Sequence, residues 1–485
     1  MIKETGYGSI DVRELALSVL SEVFAGKEFS HRLIRGVLDK HDYLQSGEKA
    51  FLKRLTEGTL EQCIRLDYCI DRVSSLPVRK MKPFIRTLLR MSAYQILFMD
   101  GVPHHAVCNE AVKLAKKHSF GGLQGFVNGV LRQMVRRKEE LLLPPRGATR
   151  EETLSFTYAM PLWLVERFLD QYGEEETLRI LEGLQQERGV TVRISPTLSG
   201  EEREVLKEQW KTQGIRLRPH PLLSYGGIVE RLSAAPTGEI RYGGINPADM
   251  AGFAEGKVVV QDVSSMLVAE AAGILPGMKI LDVCSAPGGK ATHAAQLLKG
   301  SGLVVARDIS EKKIALVRES GLRQGLSNLR AEVFDAACFD PSMEGWADVV
   351  ICDLPCSGLG VIGKKKDIKF RIREEDIRSL EELQKKILRT VHRYVKPGGL
   401  LLYSTCTVNR TENQETVRWL MDSYGFRGEP VGKLLKEKLY LRKEEELPFL
   451  REASDKGKIL EKWGLQLVPT ASNDGFFIAV LRRPV

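Results

Sequence analysis

Between residues 256 and 403 short apolar runs alternate with helical stretches, and that alternation limits the fold more than any other feature of the chain. The runs are Lys279–Val283, Gly302–Ala306, Arg330–Phe334, Ala347–Cys352 and Gly399–Tyr403. Each is too short for a buried helix, and most are rich in Val, Ile and Leu, as a strand covered on both faces requires. Strands joined by helices pair in parallel, because each helix returns the chain to the starting end of the sheet. The expected fold of this region is a doubly wound, Rossmann-like α/β sheet. Two later runs, Gly464–Val468 and Gly475–Leu481, are close enough to form a terminal antiparallel pair.

The rest of the chain follows other periods. Apolar residues at helical spacing (Leu15, Val19 and Leu20; Leu52, Leu55, Leu60 and Ile64; Ile85, Leu88 and Leu89) predict an all-α region over 11–140. Pro144-Pro145 and Gly147 mark a linker. A helix from Pro161 to Leu184, a strand over Val190–Ile194, a helix over Glu201–Gln213 and a strand over Ile215–Leu217 make a small α+β unit. With 485 residues, about three domains are expected, and we divide the chain into 1–142 (helical), 143–242 (linker and α+β) and 243–485 (α/β).

Charge is unevenly spread. Residues 1–140 carry 23 Lys+Arg against 16 Asp+Glu, most of the chain's formal +9. Such a domain suits a polyanionic partner, usually nucleic acid, although a solubility surplus reads the same way. No apolar run approaches the roughly 20 residues of a membrane span, and Met1–Asp11 lacks the apolar core of a secretory signal, so a cytoplasmic location is expected. The eight cysteines include no Cys-x-x-Cys pair, so neither a zinc site nor a disulfide framework is expected, and no metal is implied.

The first α/β strand runs into Asp282-Val283-Cys284-Ser285-Ala286-Pro287-Gly288-Gly289-Lys290 ahead of a helix. Ligands of open α/β sheets bind beyond the strand carboxyl ends, where glycines permit close approach and a helix start offers free N–H groups. A phosphate-binding P-loop fails because Cys284 and Ala291 occupy its outer positions, and Gly-x-Gly-x-x-Gly is also absent. Asp308 ends the second strand and Asp335 follows the third. Either alone is more often a cap or turn residue. Placed at successive strand ends with the glycine turn, they fit an adenosine-containing ligand, Asp308 on the ribose hydroxyls and Asp335 on the adenine amino group. The fourth strand leads into Asp353-Leu354-Pro355-Cys356-Ser357-Gly358 and the fifth into Ser404-Thr405-Cys406-Thr407, bringing two cysteines to the same edge. A lone cysteine is usually a small buried hydrophobe, but two at neighbouring strand ends beside a carboxylate suggest chemistry.

Ser285–Lys290, Asp353–Gly358 and Ser404–Thr407, flanked by Val260-Gln261-Asp262-Val263-Ser264-Ser265-Met266 and Asn473-Asp474-Gly475-Phe476-Phe477, resemble the cytosine-C5 RNA methyltransferases of the Nol1/Nop2/Sun group over about 155–485. Val102–Val107 and Gly125–Arg132 resemble the RNA-binding NusB-like domain, and the two-part layout is similar to the bacterial Sun/Fmu group of ribosomal RNA methyltransferases. The resemblance implies S-adenosylmethionine as cofactor, bound by Cys284, Ser285, Ala286, Pro287, Gly288, Gly289, Lys290, Asp308, Asp335 and Asp353. It implies 16S ribosomal RNA as partner, free or in an assembling subunit, with cytosine 967 as target. Cys406 would be the nucleophile, Cys356 would assist loss of the C5 proton and release, Asp353 would bind the cytosine N3/N4 edge, and Lys290 would sit by the cofactor carboxylate.

Lys364-Lys365-Lys366-Asp367-Ile368-Lys369-Phe370-Arg371 reads either as a solvated loop or as an RNA contact, with Lys364, Lys365, Lys366, Lys369 and Arg371 on phosphates and Phe370 stacking on a base. In the family a proline commonly precedes this aspartate, where Lys366 stands here. Three alternatives stay open: attack by Cys356 as in DNA cytosine-C5 enzymes, the same reaction on another RNA, and a non-catalytic RNA-binding or ribosome-assembly factor on a methyltransferase fold.

Overall fold

The computed structural model describes residues 11–220, 223–232, 240–241, 245–439 and 463–485. It divides into two compact units, one of 1–170 with 365–371 and one of 171–364 with 372–485. The expected boundary at 242/243 falls outside the described residues.

The first unit is all-α. Its helices are α1 (Val12–Phe24), α2 (Ser30–Lys40), α3 (Ser46–Glu61), α4 (Cys63–Asp71), α5 (Pro83–Phe98), α6 (His104–Lys117), α7 (Gln124–Arg136), α8 (Lys138–Leu141) and α9 (Arg150–Thr157). One apolar core joins them, with Leu20, Leu52, Leu55, Leu88, Leu89, Val127 and Leu131 at its centre. Helix starts follow local chemistry: Pro83 opens α5, and Thr149 caps α9 in a reciprocal box with Glu152. The helix α10 (Leu162–Gln185) is interrupted at Gly173, whose φ of 72° suits a residue without Cβ.

The second unit holds two sheets. In the smaller, β1 (Val190–Ile194) pairs antiparallel with β3 (Leu223–Leu232) and β5 (Val258–Val260), while β3 also pairs with β2 (Ile215–His220) and β4 (Ile240–Arg241). The helix α11 (Gly200–Thr212) seats Trp210 in the small core beneath it. After α12 (Val263–Ala271) the larger sheet begins, with β6 (Lys279–Asp282), α13 (Gly289–Leu297), β7 (Leu303–Asp308), α14 (Glu311–Arg323), β8 (Leu329–Val333) and β9 (Ala347–Asp353). The short helix α15 (Ile368–Arg371) belongs to the first unit, and α16 (Glu374–Val391), β10 (Val395–Thr405), α17 (Thr416–Tyr424), β11 (Arg427–Gly428), α18 (Val431–Leu439), β12 (Gly464–Leu467) and β13 (Phe476–Arg482) complete the second.

Strand order in the large sheet is β11-β13-β10-β9-β6-β7-β8, with β12 on β13. The five strands β8, β7, β6, β9 and β10 are parallel, and β13 is antiparallel to β10. Alternate residues of these strands enter opposite cores: Ile280, Val304, Val349, Ile351 and Leu402 one side, Leu281, Val305, Val350, Leu401 and Tyr403 the other. That period of two explains why the strands read as continuous apolar runs. The chain runs outward from β6 in both directions, so the β6/β9 crevice is the switch point where such sheets bind ligands. Among the described residues no helix is long and apolar enough to cross a membrane.

Two glycines bring the end of β9 against the start of β13. Gly475 N–H donates to Gly360 O (3.0 Å) and Gly360 N–H donates to Cys406 O (3.1 Å). A Cβ on Gly360 would stand 1.9 Å from Gly475 O, so the backbones touch only because neither residue has a side chain. Gly360→Ala is expected to lower stability by about 1–3 kcal/mol in denaturant unfolding. Gly36→Ala, on an exposed stretch of α2 with nothing within 4 Å, should be neutral or stabilising.

Candidate active site

The parallel strands deliver Asp282, Asp308, Asp353 and Thr405 to one edge of the sheet as the last residues of β6, β7, β9 and β10. Asp335 follows two residues after β8. Beyond β6 the chain turns tightly: Gly288 N–H donates to Ser285 O (2.7 Å), and the Ser285 N–H and hydroxyl both donate to Arg307 O (2.8 and 3.0 Å). Gly288 caps α13 at φ 108°, and a Cβ there would meet Val317 at 3.3 Å. The turn thus presents bare backbone and the amino end of α13 to the crevice.

Asp308 is buried and closes this turn. Its carboxylate accepts from Ala286 N–H (3.0 Å), Ile309 N–H (2.8 Å) and the Lys313 ammonium (2.9 Å). Asp335 is exposed and accepts from Ala337 N–H at 2.9 Å, leaving most of its carboxylate open to solvent. Lys290, from the first turn of α13, pairs with Asp353 at 2.6 Å and lies 5.2 Å from the Phe476 ring centre. The other Asp353 oxygen accepts from the Ser404 hydroxyl at 2.9 Å.

Asp282 is the acidic residue that sequence reasoning passed over. It is fully buried, neither carboxylate oxygen has a well-aligned side-chain partner, and burial together with the Asp353 charge, opposed by Lys290 and the Cys284 backbone, pushes it up to about 8. An unpaired buried acid next to a glycine turn is what a site shaped for a polar ligand leaves behind. Its signal was present as a strand-end aspartate inside an apolar run.

Cys356 and Cys406 stand with their sulfurs 3.3 Å apart. They meet because Ser404 pairs in register with Asp353, so chains leaving β9 and β10 start level. A hydrogen bond to Cys406, burial, and the charges of Cys406 and Glu412 hold the Cys356 thiol well above the ordinary cysteine range. Cys284 is half-buried behind the turn, where burial, then the charges of Asp282, Asp308 and Asp353, raise its thiol.

The flanking motifs brace the site. Asp262 caps α12 through Ser264 N–H (3.0 Å) and accepts from Lys364 (2.7 Å), which also pairs with Asp474 (2.9 Å). Arg193 of β1 is fully buried, donates to Gly289 O (3.0 Å) and also bonds Gln261, and burial lowers it to about 9.

The basic segment differs from expectation. Lys365–Arg371 belongs to the first unit, where most of its charges are already spent. Lys369 is buried, donates to Glu61 O (2.5 Å) and Ala159 O (2.6 Å), and is pushed down by burial to about 8. Phe370 packs on the helical core, edge-on to Phe24 at 6.2 Å. Lys366 pairs with Glu61 (3.0 Å), and Arg371 with Asp367 (3.1 Å). Lys369 and Phe370 are therefore removed from the expected phosphate and stacking contacts, and Lys364, Lys366 and Arg371 already hold acidic partners. Lys365 alone of the set is exposed without a recorded ion pair among the described residues.

Comparison with known proteins gives the family. A family model for the 16S rRNA methyltransferase RsmB/F matches residues 274–482, and one for the NusB family matches residues 10–136. A Bacillus subtilis protein described as a probable ribosomal RNA small subunit methyltransferase B is 33% identical over 478 residues, covering 97% of this chain and 98% of that protein. A Synechocystis protein of the same description is 30% identical over 87% of this chain and 91% of its own. Among solved structures, PH0851 matches 98% of this chain and 100% of its own at a TM-score of 0.76 and 23% identity. NSun6 from Pyrococcus horikoshii with SFG matches 66% and 97% at a TM-score of 0.52 and 20% identity. Among the described residues no cluster of three or more His, Cys, Asp or Glu could hold a metal. The chain belongs to the ribosomal RNA small subunit methyltransferase B family of S-adenosylmethionine-dependent RNA methyltransferases, with a NusB domain ahead of the catalytic one.

Proposed function

We propose that this protein methylates carbon 5 of a cytosine in 16S ribosomal RNA, with cytosine 967 as the target, through a covalent bond from Cys406. The observation that carries the reading is the pair of thiols 3.3 Å apart beside the Lys290–Asp353 ion pair. A simple methyl transfer to a nucleophilic nitrogen or oxygen would need no thiol. Carbon 5 of an aromatic, electron-poor ring does need one.

In this reading the turn Cys284–Lys290, with Asp308, Asp335 and Asp353, holds S-adenosylmethionine, as the glycine cradle and the unpaired Asp282 suit a polar ligand. When bound, that molecule supplies an electrophilic methyl group. The target base leaves any stack to enter the crevice. Asp353 then faces the cytosine N3/N4 edge and stabilises charge that develops there, while its ion-pair partner Lys290 sits by the cofactor carboxylate. Cys406, its thiol proton passed to solvent, bonds through sulfur to C6, and the C5=C6 π pair moves to C5, which becomes the nucleophile for the methyl carbon. The C5 proton then leaves, its bonding pair rebuilds C5=C6, and the sulfur–C6 bond breaks with both electrons returning to Cys406. Cys356 assists this second half. Its own proton passes to solvent first, and the resulting thiolate, strongly basic because the thiol is held well above the ordinary range, takes the C5 proton. The basic NusB domain supplies phosphate contacts whose strength falls with salt.

Two experiments test the reading. Asp308→Ala removes a ribose contact worth roughly 1.5–3 kcal/mol per charge-assisted hydrogen bond, so cofactor affinity measured by calorimetry should fall about tenfold or more. An unchanged affinity moves the ribose site elsewhere. Cys406→Ala should abolish methylation and any covalent RNA complex, whereas Cys356→Ala should accumulate a denaturation-resistant complex on a gel. If only Cys406→Ala forms the adduct, Cys356 is the nucleophile, and if neither variant nor the parent methylates ribosomal RNA, the protein acts as a binding factor.

A further inference from the structure

Glu412 lies outside every motif used above, yet it is fully buried two turns of chain beyond Cys406, in the π-turn Thr411–Glu415. Inserted π-turns place side chains that a regular helix would not. One oxygen of its carboxylate accepts from Ser357 N–H (2.8 Å) and from Gln384 Nε2 (3.2 Å). The other accepts from the Ser357 hydroxyl and from Asn409 Nδ2 (3.0 Å). Four donors therefore meet four lone pairs, a set complete only for an ionised carboxylate, which accepts everywhere and donates nowhere.

These bonds bracket one residue. Gln384 Nε2 also donates to Pro355 O at 2.9 Å. The peptide group before Cys356 is thus held by Gln384, the one after it by Glu412, and the two holders are bonded to each other. The Ser357 hydroxyl, committed as a donor to Glu412, accepts from Thr407 Oγ1 at 2.8 Å, and Thr407 follows Cys406. One buried carboxylate thereby ties the loop of one thiol to the loop of the other. Burial raises its pKa, and the Ser357, Asn409 and Gln384 donors oppose that shift, so the carboxylate depends on the bonds that it makes. A plain structural role would need only some of these contacts, and none need converge on the two peptides flanking a reactive thiol.

We propose that Glu412 is a positioning residue that fixes the backbone around Cys356, so that this thiol stays in reach of Cys406 and of the C5 proton during release. The proposal rests on the release role assigned to Cys356. Glu412→Gln places an amide where two of the four donors need an acceptor, which loosens the Ser357 side of the bracket while preserving size. With the full chain, a 16S ribosomal RNA transcript and S-adenosylmethionine, Glu412→Gln should accumulate the denaturation-resistant complex. Single-turnover methyl transfer should persist, while multiple turnover falls about tenfold to a hundredfold, as a small misplacement of a reacting group can do. Combined with Cys356→Ala, it should slow release no further than Cys356→Ala alone, since both act on one step. Multiplying effects in the double variant, or no adduct with Glu412→Gln while Cys356→Ala forms one, overturns the proposal and leaves the cysteine assignment standing. If Cys356→Ala itself traps no adduct, the cysteine assignment falls and the proposal with it. Should Glu412→Gln lose cofactor affinity through misfolding, Ser357→Ala, which removes the hydroxyl link alone, is read in the same assays and decides between the same outcomes.

Discussion

Parallel strands emit their chain from one edge only, and the site in this protein depends on that restriction. At their carboxyl ends β6, β7, β9 and β10 are in register, with Asp282 opposite Ala306 and Ile351 and Ser404 opposite Asp353. Residues just beyond neighbouring strands are therefore brought close together, as Cys356, three residues past β9, and Cys406, one residue past β10, show. Asp353 and Cys356 on one side and Ser404 and Cys406 on the other are separated by about 50 residues in sequence, yet they form one constellation without a connecting loop to steer them. The sheet itself can be this rigid because both faces are covered, and a slip of one residue would exchange its two cores.

Such a sheet is a poor host for charge, which makes the exceptions informative. In β6, β7 and β9 the central residues Ile280-Leu281, Val304–Ala306 and Val349–Cys352 are apolar, and charge returns at the carboxyl ends with Asp282, Arg307-Asp308 and Asp353. Asp308 and Asp353 are offset by hydrogen bonds and ammonium partners. Asp282 has no ion pair of its own, and burial and the Asp353 charge outweigh the Cys284 backbone and the Lys290 cation, so its pKa is strongly raised. Arg193, on the smaller sheet, resolves the same problem with Gly289 O, Gln261, Thr292 and Gln324, and in doing so binds that sheet to the first turn of α13. An arginine buried without such partners would be prohibitively unstable, so its presence specifies one docking of the two sheets within this unit.

Much of this was legible in the chain. The five parallel strands and the terminal pair lie within a few residues of their expected positions, because a two-sided sheet leaves a plain apolar signature. The strand β3 was not expected, because Gly226-Gly227 interrupts its apolar pattern. In the structure Gly227 is a strand residue that lets Leu217 of the neighbouring strand approach to 2.7 Å of where its Cβ would stand. The strand β5 is only three residues long, shorter than periodicity can register. Lys369 misled for another reason: a lysine stem is apolar, and charge counting cannot distinguish an ammonium in water from one capped by two carbonyls. The interleaved Ile368 and Phe370 were the available hint that this stretch turns inward.

Glu412 marks the boundary of what pattern can reveal. Reading outward from motifs finds groups that touch a substrate, because those chemistries demand particular residue types at strand ends. A group that acts by holding the backbone of such residues can stand anywhere in sequence, provided the fold returns it to the edge. Here β10 carries Cys406 to that edge, and the chain folds back at once through Asn409 and the π-turn, so its acceptor meets the loop of the preceding strand. Two sulfurs in contact gain little from each other, since a thiol is a weak donor and a weak acceptor. Their 3.3 Å separation must be imposed by stronger bonds nearby, and among the described residues the bonds that span both loops are Ser357 to Thr407, Ser357 to Glu412 and Gly360 to Cys406. The weakest interaction in the site is thus set by a fully buried carboxylate beside it.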